Sequence, residues 1–250
     1  MTDLRLADLP SQNQALQGRV ILITGASSGI GRAAALACAE QGATVILVGR
    51  DIKKLESVYD AIEAAKAPQP AIFELNLKTA NEQHYSALAK VISEEFGQLD
   101  GLLHNAAELG QLCPLEQISP AVWQEVIQVN LSGPFLLTRA LLPLLRKSSS
   151  GRILFTSSSV GRKGRAFWGV YAVSKAGIEN LTQTLADELE GSAVKVNSLN
   201  PGATRTAMRA AAYPAEDPTT VKSAETIAPV YTYLLSEECP WHGQQLSLLV

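Results

Sequence analysis

Residues 20–31 read Val-Ile-Leu-Ile-Thr-Gly-Ala-Ser-Ser-Gly-Ile-Gly. The first part, Val20–Thr24, is a nearly continuous apolar run, which is typical of a strand buried on both faces of a parallel sheet. Glycines follow at positions 25, 29 and 31, and a helical pattern then covers Gly31–Gln41. The stretch therefore predicts a strand, a sharp glycine turn and a helix, which together form the first unit of a doubly wound α/β fold.

The same alternation of strand and helix continues to the end of the chain. Further strands are predicted at Thr44–Val48, Ala71–Leu75, Gly101–His104, Gly151–Ser157, Val194–Leu199 and Gln245–Leu249, with helices at Lys53–Ala65, Asn81–Phe96, Ala121–Leu145 and Val170–Leu189. No composition shift or internal repeat divides the chain. We therefore expect a single Rossmann-like domain over residues 18–250, with about seven parallel strands and helices on both faces, preceded by a loosely held N-terminal arm at residues 1–17.

Composition and charge limit the classes of protein to which the chain can belong. Apolar residues make up 46% and charged residues 18% of the 250 residues, as in globular proteins rather than disordered ones. The net charge of −3 lacks the basic excess of nucleic-acid binders, so no nucleic-acid partner is expected. Cys38, Cys113 and Cys239 have no paired spacing, which predicts neither a disulfide framework nor a metal site. Residues 1–16 lack the apolar run of a signal peptide, and no stretch is apolar for long enough to cross a membrane, so we expect a cytoplasmic protein.

The glycine turn has a chemical use besides its geometry. Glycine lets a phosphate approach the backbone without meeting a Cβ, and the N-terminus of the following helix favours negative charge. The spacing here is G-x-x-x-G-x-G, whereas the usual dinucleotide fingerprint is G-x-G-x-x-G. Taken alone, the turn predicts either a pyrophosphate site or a strand-to-helix turn without a ligand.

Several short motifs follow this turn in a fixed order. They are Thr24-Gly-x-x-x-Gly-x-Gly31, Asn105-Ala-Ala107, Asn130, Ser158, Tyr171-x-x-x-Lys175 and Asn200-Pro-Gly202. In order and spacing the chain resembles the short-chain dehydrogenase/reductase family from about Leu16 to its C-terminus, and residues 201–218 are similar to an uncharacterised bacterial oxidoreductase subgroup. The resemblance implies a three-layer α/β fold, a nicotinamide cofactor, and hydride transfer between that cofactor and a carbonyl or alcohol substrate.

The candidate catalytic residues are Asn130, Ser158, Tyr171 and Lys175. Tyr171 and Lys175 are four residues apart in a segment of helical period, so their side chains share one helix face. A free tyrosine has a pKa of about 10; we expect the Lys175 ammonium and the positive nicotinamide ring to lower it and make Tyr171 the general acid/base. Ser158 follows a predicted strand, where it would hydrogen-bond the substrate carbonyl, although a turn-capping role is an alternative for any serine in this run. The resemblance implies that Asn130 holds a water in the proton relay and that Lys175 also binds the cofactor ribose.

Further cofactor contacts follow from the resemblance, and from the rule that open parallel sheets bind ligands beyond the carboxyl ends of their strands. Besides Tyr171 and Lys175 we expect contacts from Gly25, Ser27, Ser28, Gly29, Ile30 and Gly31 in the turn, Asn76 and Leu77 near the adenine, Asn105 and Ala106 near the adenosine ribose, and Pro201, Gly202, Thr204 and Thr206 near the nicotinamide. Many family members have an acid where this chain has Asn76. His104, at a strand end, is expected to be a packing residue rather than a proton donor.

The choice between NAD and NADP depends on the end of the second predicted strand. Residues 45–51 read Val-Ile-Leu-Val-Gly-Arg-Asp, so Gly49 stands where the resemblance places the acid that selects NAD. Gly49 leaves room for a 2′-phosphate, and the planar guanidinium of Arg50 is suited to bind it. Asp51 is the rival for the role of the acid, but it is better placed to cap the helix that begins at Ile52. We therefore expect NADP(H) to be preferred, with NAD(H) as the alternative cofactor.

These features together predict an oxidoreductase acting on a small carbonyl or alcohol substrate. Two alternatives remain: a dinucleotide-binding module that senses redox state or holds a partner without turnover, and an epimerase or dehydratase on the same fold. Phe167, Trp168 and residues 109–112 are candidates for an apolar substrate wall or for packing. Apolar residues on more than one face of the helices at 121–145 and 170–189 predict a homodimer or homotetramer.

Overall fold

The computed structural model describes residues 2–11 and 13–249, and its centre is one parallel sheet. The strands are β1 (Thr2–Arg5), β2 (Val20–Thr24), β3 (Thr44–Gly49), β4 (Ala71–Glu74), β5 (Gly101–His104), β6 (Arg152–Thr156), β7 (Lys195–Asn200) and β8 (Gln245–Leu249). They lie in the order β1-β8-β7-β6-β5-β2-β3-β4, and each neighbouring pair is parallel. The predicted doubly wound α/β fold is confirmed, with eight strands in place of about seven.

Helices cover both faces of this sheet. They are α1 (Gly29–Glu40), α2 (Ile52–Ala64), α3 (Glu82–Glu95), α4 (Pro120–Ile127), α5 (Gly133–Leu145), α6 (Ser159–Arg162), α7 (Gly169–Glu188), α8 (Ala207–Ala212) and α9 (Ala224–Leu235). Ile21 and Ile23 of β2 pack in one hydrophobic cluster with α1, α2 and α9, whereas Leu22 packs in a second cluster with α3, α5 and α7. Because successive side chains of a strand point to opposite faces, the apolar run quoted first fills both layers of core.

The single helix predicted over Ala121–Leu145 is wrong in one respect. A π-helical turn at Gln128–Ser132 separates α4 from α5. Pro134 lies in the first turn of α5 and has no N–H to donate to the carbonyl of Asn130, four residues earlier, so regular α-helical bonding is interrupted here. Asn130 therefore lies in the π-helical turn.

The N-terminal segment, expected as an arm ahead of the domain, contributes β1 to the sheet. β1 pairs with β8 from Thr2 opposite Leu246 to Arg5 opposite Leu249. The Thr2 hydroxyl also donates to Gln244 Oε1 at 3.0 Å. Residues 2–5 thus cover the edge that β8 would otherwise expose.

Candidate active site

A cavity of about 640 Å³ opens beyond the carboxyl ends of the central strands. Its volume lies within the usual range for cofactor and small-ligand pockets. Most of the predicted site residues lie on its wall: Gly25, Ser27, Ser28, Gly29, Ile30, Arg50, Asn76, Leu77, Asn105, Ala106, Ser158, Tyr171, Lys175, Pro201, Gly202, Thr204 and Thr206. Gly31 and Asn130 are the predicted site residues that do not line it. The structure therefore brings together residues that are up to 181 positions apart in sequence, from Gly25 to Thr206.

The glycine turn brings the start of α1 against the loop that follows β5. Gly25 has a φ of +67°, which side chains rarely adopt. A Cβ on Gly25 would lie 2.9 Å from Cα of Ala106, and a Cβ on Gly31 would lie 2.6 Å from Nδ2 of Asn105. Glycine is thus required at both positions, and Gly31 acts through packing although it does not line the cavity. The N-terminus of α1 is left bordering the cavity, where its free N–H groups favour an anion.

Thr24, the last residue of β2, holds the loop after β5 through hydrogen bonds of its side chain. Its Oγ1 accepts the N–H groups of Asn105 and Ala106 at 3.0 and 3.1 Å and donates to the carbonyl of Leu103 at 3.3 Å. Both expected ribose contacts, Asn105 and Ala106, are therefore held rigidly on the wall.

Ser158, Tyr171 and Lys175 converge through the packing of α6 on α7. Ser158 precedes α6, and Tyr171 and Lys175 lie one turn apart on α7. Lys175 Nζ donates to the carbonyl of Thr156 at 2.8 Å and lies 5.7 Å from the centroid of the Tyr171 ring. Ser158 lines the cavity beside them and lowers the pKa of Tyr171 in part. A Cβ on Gly161 would lie 2.7 Å from Cβ of Lys175, so this glycine is what lets α6 approach α7.

Burial shifts the pKa values of both ionisable groups in this cluster. Burial raises the pKa of Tyr171 to about 12, although the Ser158 hydroxyl lowers it in part. Burial lowers the pKa of Lys175 to about 8, with the negative charge of Glu179 raising it in part. For the protein groups alone, the loss of hydration outweighs the favourable contact of the phenolate with Ser158. The expected lowering of the Tyr171 pKa, which includes the positive charge of the nicotinamide ring, stays a prediction. At neutral pH the phenol keeps its proton and Lys175 is mostly an ammonium.

Asn130 is buried behind the wall, and its side chain clamps the loop after β5. Its Nδ2 donates to the carbonyl of Glu108 at 2.8 Å and to Ser174 Oγ at 3.0 Å, and its Oδ1 accepts the N–H of Glu108 at 2.7 Å. The side-chain amide thus joins the π-helical turn, the loop and α7.

At the end of β3, Arg50 and Asp51 are the two candidates for contact with the adenosine ribose, and the structure gives them different roles. The Asp51 carboxylate accepts the N–H of Lys54 at 3.2 Å and caps α2, which confirms its expected capping role. The Arg50 guanidinium lies on the cavity wall and pairs with Glu108 at 2.7 Å. Glu108 was missed by sequence reasoning because it belongs to none of the motifs.

The remaining predicted contacts have local hydrogen-bonding roles as well. Asn76 Oδ1 accepts the N–H of Lys78 at 3.1 Å. Thr206 Oγ1 accepts the N–H of Arg209 at 3.1 Å and caps α8, and Thr204 Oγ1 donates to the carbonyl of Gly202 at 3.3 Å. Each side chain is therefore oriented by its own backbone neighbourhood at the cavity.

His104 packs inside the protein and does not line the cavity. Its ring stacks on Phe155 with centroids 4.7 Å apart, and Nε2 is 2.8 Å from the Thr138 hydroxyl. Nδ1 is buried without a hydrogen-bond partner. Burial, and secondly the charge of Lys175, lower the pKa of His104 to about 3, so the ring is neutral at physiological pH.

Several residues that line the cavity near Tyr171 lie outside the sequence motifs. Trp168, a candidate from sequence, lines it, whereas Phe167 does not and is 61% exposed. Arg165, Arg209 and Tyr213 line it as well. Arg165 lies in the loop between α6 and α7, whereas Arg209 lies in α8 and Tyr213 directly follows it. The signal available in the sequence was that α8 follows the Pro201-Gly202 motif closely.

Two kinds of feature are not found among the residues that the structure describes. No group of histidine, cysteine, aspartate and glutamate side chains there is arranged to hold a metal ion. No helix in residues 2–11 and 13–249 has the length and apolar character needed to cross a membrane.

Comparisons with known proteins agree with this geometry. A family model for short chain dehydrogenases matches residues 19–217. The chain is also 50% identical over 223 residues to the uncharacterized oxidoreductase YciK of Escherichia coli strain K12, covering 89% of this chain and 88% of that protein.

Two solved structures are similar over nearly their whole length. A short chain dehydrogenase from Shigella flexneri 2a strain 301, complexed with NADP, has a TM-score of 0.91 at 47% identity, covering 95% of this chain and 99% of that one. Another from Escherichia coli CFT073, complexed with NADPH, has a TM-score of 0.92 at 48% identity with the same coverage. With a family model matching most of its length and a relative at 50% identity, the chain belongs to the short-chain dehydrogenase family of NAD(P)-dependent oxidoreductases.

Proposed function

We propose that the protein uses NADP(H) to interconvert a carbonyl compound and its alcohol, with Tyr171 as the general acid/base. The observation that carries this proposal is that Ser158, Tyr171 and Lys175 lie on the wall of the same cavity that the glycine turn borders. A dinucleotide at the turn and a carbonyl group at Tyr171 would share that cavity.

The residues at the turn fit a dinucleotide phosphate chain. Gly25 and Gly31 approach the loop after β5 so closely that neither position has room for a Cβ, and the N-terminus of α1 borders the cavity. Arg50 supplies a cation for a 2′-phosphate, and Asp51, the rival acid, is occupied as a helix cap. The relatives solved with NADP and NADPH support NADP(H) as the preferred cofactor, with NAD(H) as the alternative.

The chain's own groups account for the proton chemistry. When bound, the nicotinamide supplies or accepts the hydride. During reduction, Tyr171 donates a proton to the carbonyl oxygen, since burial keeps the phenol protonated at neutral pH. We assign Ser158, which lines the cavity together with Tyr171, a hydrogen bond to the same oxygen. The Lys175 ammonium then stabilises the phenolate, and we assign it the ribose hydroxyls as well. Asn130 holds the loop of Asn105 and Ala106 in place, and the family resemblance assigns it the relay water.

Replacement of Tyr171 by phenylalanine tests the assignment directly. Tyr171→Phe keeps the ring and removes the proton donor, so turnover should fall roughly 10²- to 10⁴-fold while NADPH affinity stays near that of the wild type. Turnover is followed by NADPH oxidation across a panel of ketones and aldehydes, and binding by calorimetry.

Two outcomes would contradict the proposal. Undiminished turnover in Tyr171→Phe would remove Tyr171 from the chemistry. NADPH binding without oxidation by any carbonyl compound, in the wild type, would favour the non-catalytic binding module considered above.

We further infer that the protein forms a homodimer through the α4, α5 and α7 surface. α4 packs against α7, and Trp123, Phe135 and Val173 on these three helices are 37%, 48% and 45% exposed. Exposed large apolar side chains on adjoining helices indicate a surface that a second copy covers, and a twofold pair is the commonest closed arrangement.

A further inference from the structure

The cavity wall next to Tyr171 is a row of aromatic rings. Trp168 lies 5.7 Å from the Tyr171 ring and 5.9 Å from the Tyr213 ring, centroid to centroid, with interplanar angles of 50° and 47°. All three residues line the cavity. A substrate whose carbonyl reaches Tyr171 would therefore lie along Trp168 and Tyr213, which favours a flat, apolar body next to the reacting carbon.

Two arginines contact Tyr213, the ring of this row that follows Trp168. The Arg209 guanidinium lies 3.6 Å from the centroid of the Tyr213 ring, and Arg165 Nη1 donates to the Tyr213 hydroxyl at 3.2 Å. Tyr213 thus contacts Arg165 and Trp168 in one segment of the cavity wall and Arg209 in the other.

The two arginines differ in charge compensation. Arg209 is paired with Glu216 through two hydrogen bonds of 2.5 and 2.7 Å, and this pairing lowers the pKa of the Glu216 carboxyl. Arg165 forms no ion pair with any carboxylate of the described residues; the Tyr213 hydroxyl is a neutral partner. Arg165 is therefore a cavity-lining guanidinium without a carboxylate partner among the described residues, and it contacts the aromatic row through Tyr213.

We propose, on the basis of the function proposed above, that the substrate is a carbonyl compound with a flat apolar body and a carboxylate, which Arg165 binds. A guanidinium presents a planar pair of donors that matches the two oxygens of a carboxylate. The aromatic row sets the distance between the reacting carbonyl at Tyr171 and the carboxylate at Arg165, so Arg165 is a specificity-determining residue.

A pair of matched ketones tests this assignment. 4-Acetylbenzoate and 4-acetylbenzamide have the same ring and ketone and differ in the charge of one substituent. In the wild type, kcat/KM with NADPH should be about five- to tenfold higher for the benzoate than for the benzamide. This ratio corresponds to a free energy between that of an exposed ion pair and that of a hydrogen bond to a charged group. In Arg165→Gln, which keeps a donor for the Tyr213 hydroxyl, the ratio should fall to about one. Lys163→Gln is the matched control, because Lys163 is an exposed cation of the same loop that does not line the cavity.

Binding of the two compounds to the NADPH complex, measured by calorimetry, separates this proposal from the proposed reaction. Tighter binding of the benzoate that Arg165→Gln abolishes supports the carboxylate site even where neither ketone is reduced. Equal binding of the two compounds in the wild type, or the same loss of preference in Lys163→Gln, would overturn the assignment of Arg165.

Discussion

Removal of the Arg50 guanidinium should change cofactor choice without disabling the fold. Arg50 lies on the cavity wall with its side chain 61% exposed, so a 2′-phosphate held there stays partly hydrated. We therefore take the lower end of the range for a hydrogen bond to a charged group, about 1.5 kcal/mol, which corresponds to about a tenfold change in affinity. In Arg50→Ala the Kd for NADPH should rise about tenfold, while the Kd for NADH, which lacks that phosphate, should stay within about twofold of the wild type.

The ion pair between Arg50 and Glu108 leads to a second prediction, in which removal of the Glu108 charge strengthens NADPH binding. The two groups are 2.7 Å apart with side-chain exposures of 61% and 30%, a geometry worth about 0.5 kcal/mol. A 2′-phosphate must compete with the Glu108 carboxylate for the guanidinium. In Glu108→Gln the competition is lost, and the Kd for NADPH should fall about twofold with no matching change for NADH. Combined with Arg50→Ala, the Glu108 change should have no further effect, because its partner is gone.

The assay is equilibrium titration of NADPH and NADH into each variant, followed by the fluorescence of the reduced nicotinamide. Lys53→Ala is the control, because Lys53 is an exposed cation near Arg50 that does not line the cavity. Raised salt should reduce the preference of the wild type for NADPH over NADH, since the Arg50 side chain is 61% exposed. An NADPH-to-NADH ratio that is the same in Arg50→Ala as in the wild type would refute the role of Arg50.

Two further predictions concern stability and assembly. Burial lowers the pKa of His104 to about 3 in the folded protein, whereas its pKa in the unfolded chain is about 6.5. Between these pH values only the unfolded chain binds the proton, so the free energy of unfolding decreases as the pH falls from 6.5 towards 3. Measured by urea unfolding, the free energy of unfolding should be about 2 kcal/mol lower at pH 5 than at pH 7 in the wild type and in Thr138→Val, which keeps the imidazole. His104→Gln should not show this loss, and an equal loss in that variant would contradict this account. For the proposed dimer, sedimentation at micromolar concentration should give a dimer for the wild type and a monomer for Phe135→Lys, and a monomeric wild type would refute the α4, α5 and α7 interface.

Much of the fold could be predicted from the sequence because its signals are local. The apolar run over Val20–Thr24 and the helical period after Gly31 depend on neighbouring residues alone, and so does the spacing of Tyr171 and Lys175 on one helix face. The capping role of Asp51 was accessible for the same reason, since a cap acts within one turn.

Features that depend on distant partners could not be predicted in this way. Residues 2–5 contain Asp3 and Arg5 and have no strand pattern of their own; they form β1 because β8 offers an edge. The raised pKa of Tyr171 follows from burial, which only the packed structure determines. Glu108 and Arg165 became site residues through contacts with Arg50 and Tyr213, which lie 58 and 48 residues away.

The charge distribution connects the cofactor proposal with the substrate proposal. The chain as a whole has a net charge of −3, yet its cavity is lined by six cationic residues, Arg50, Lys78, Arg165, Lys175, Arg205 and Arg209, and by one acidic residue, Glu108. Positive charge is therefore concentrated in a concave site of a protein with a negative net charge, which attracts small anions. The 2′-phosphate near Arg50 and the carboxylate near Arg165 would enter opposite ends of this cavity. Because Glu216 neutralises Arg209 while Arg165 forms no ion pair with any described carboxylate, the positive charge at the substrate end is available to a ligand.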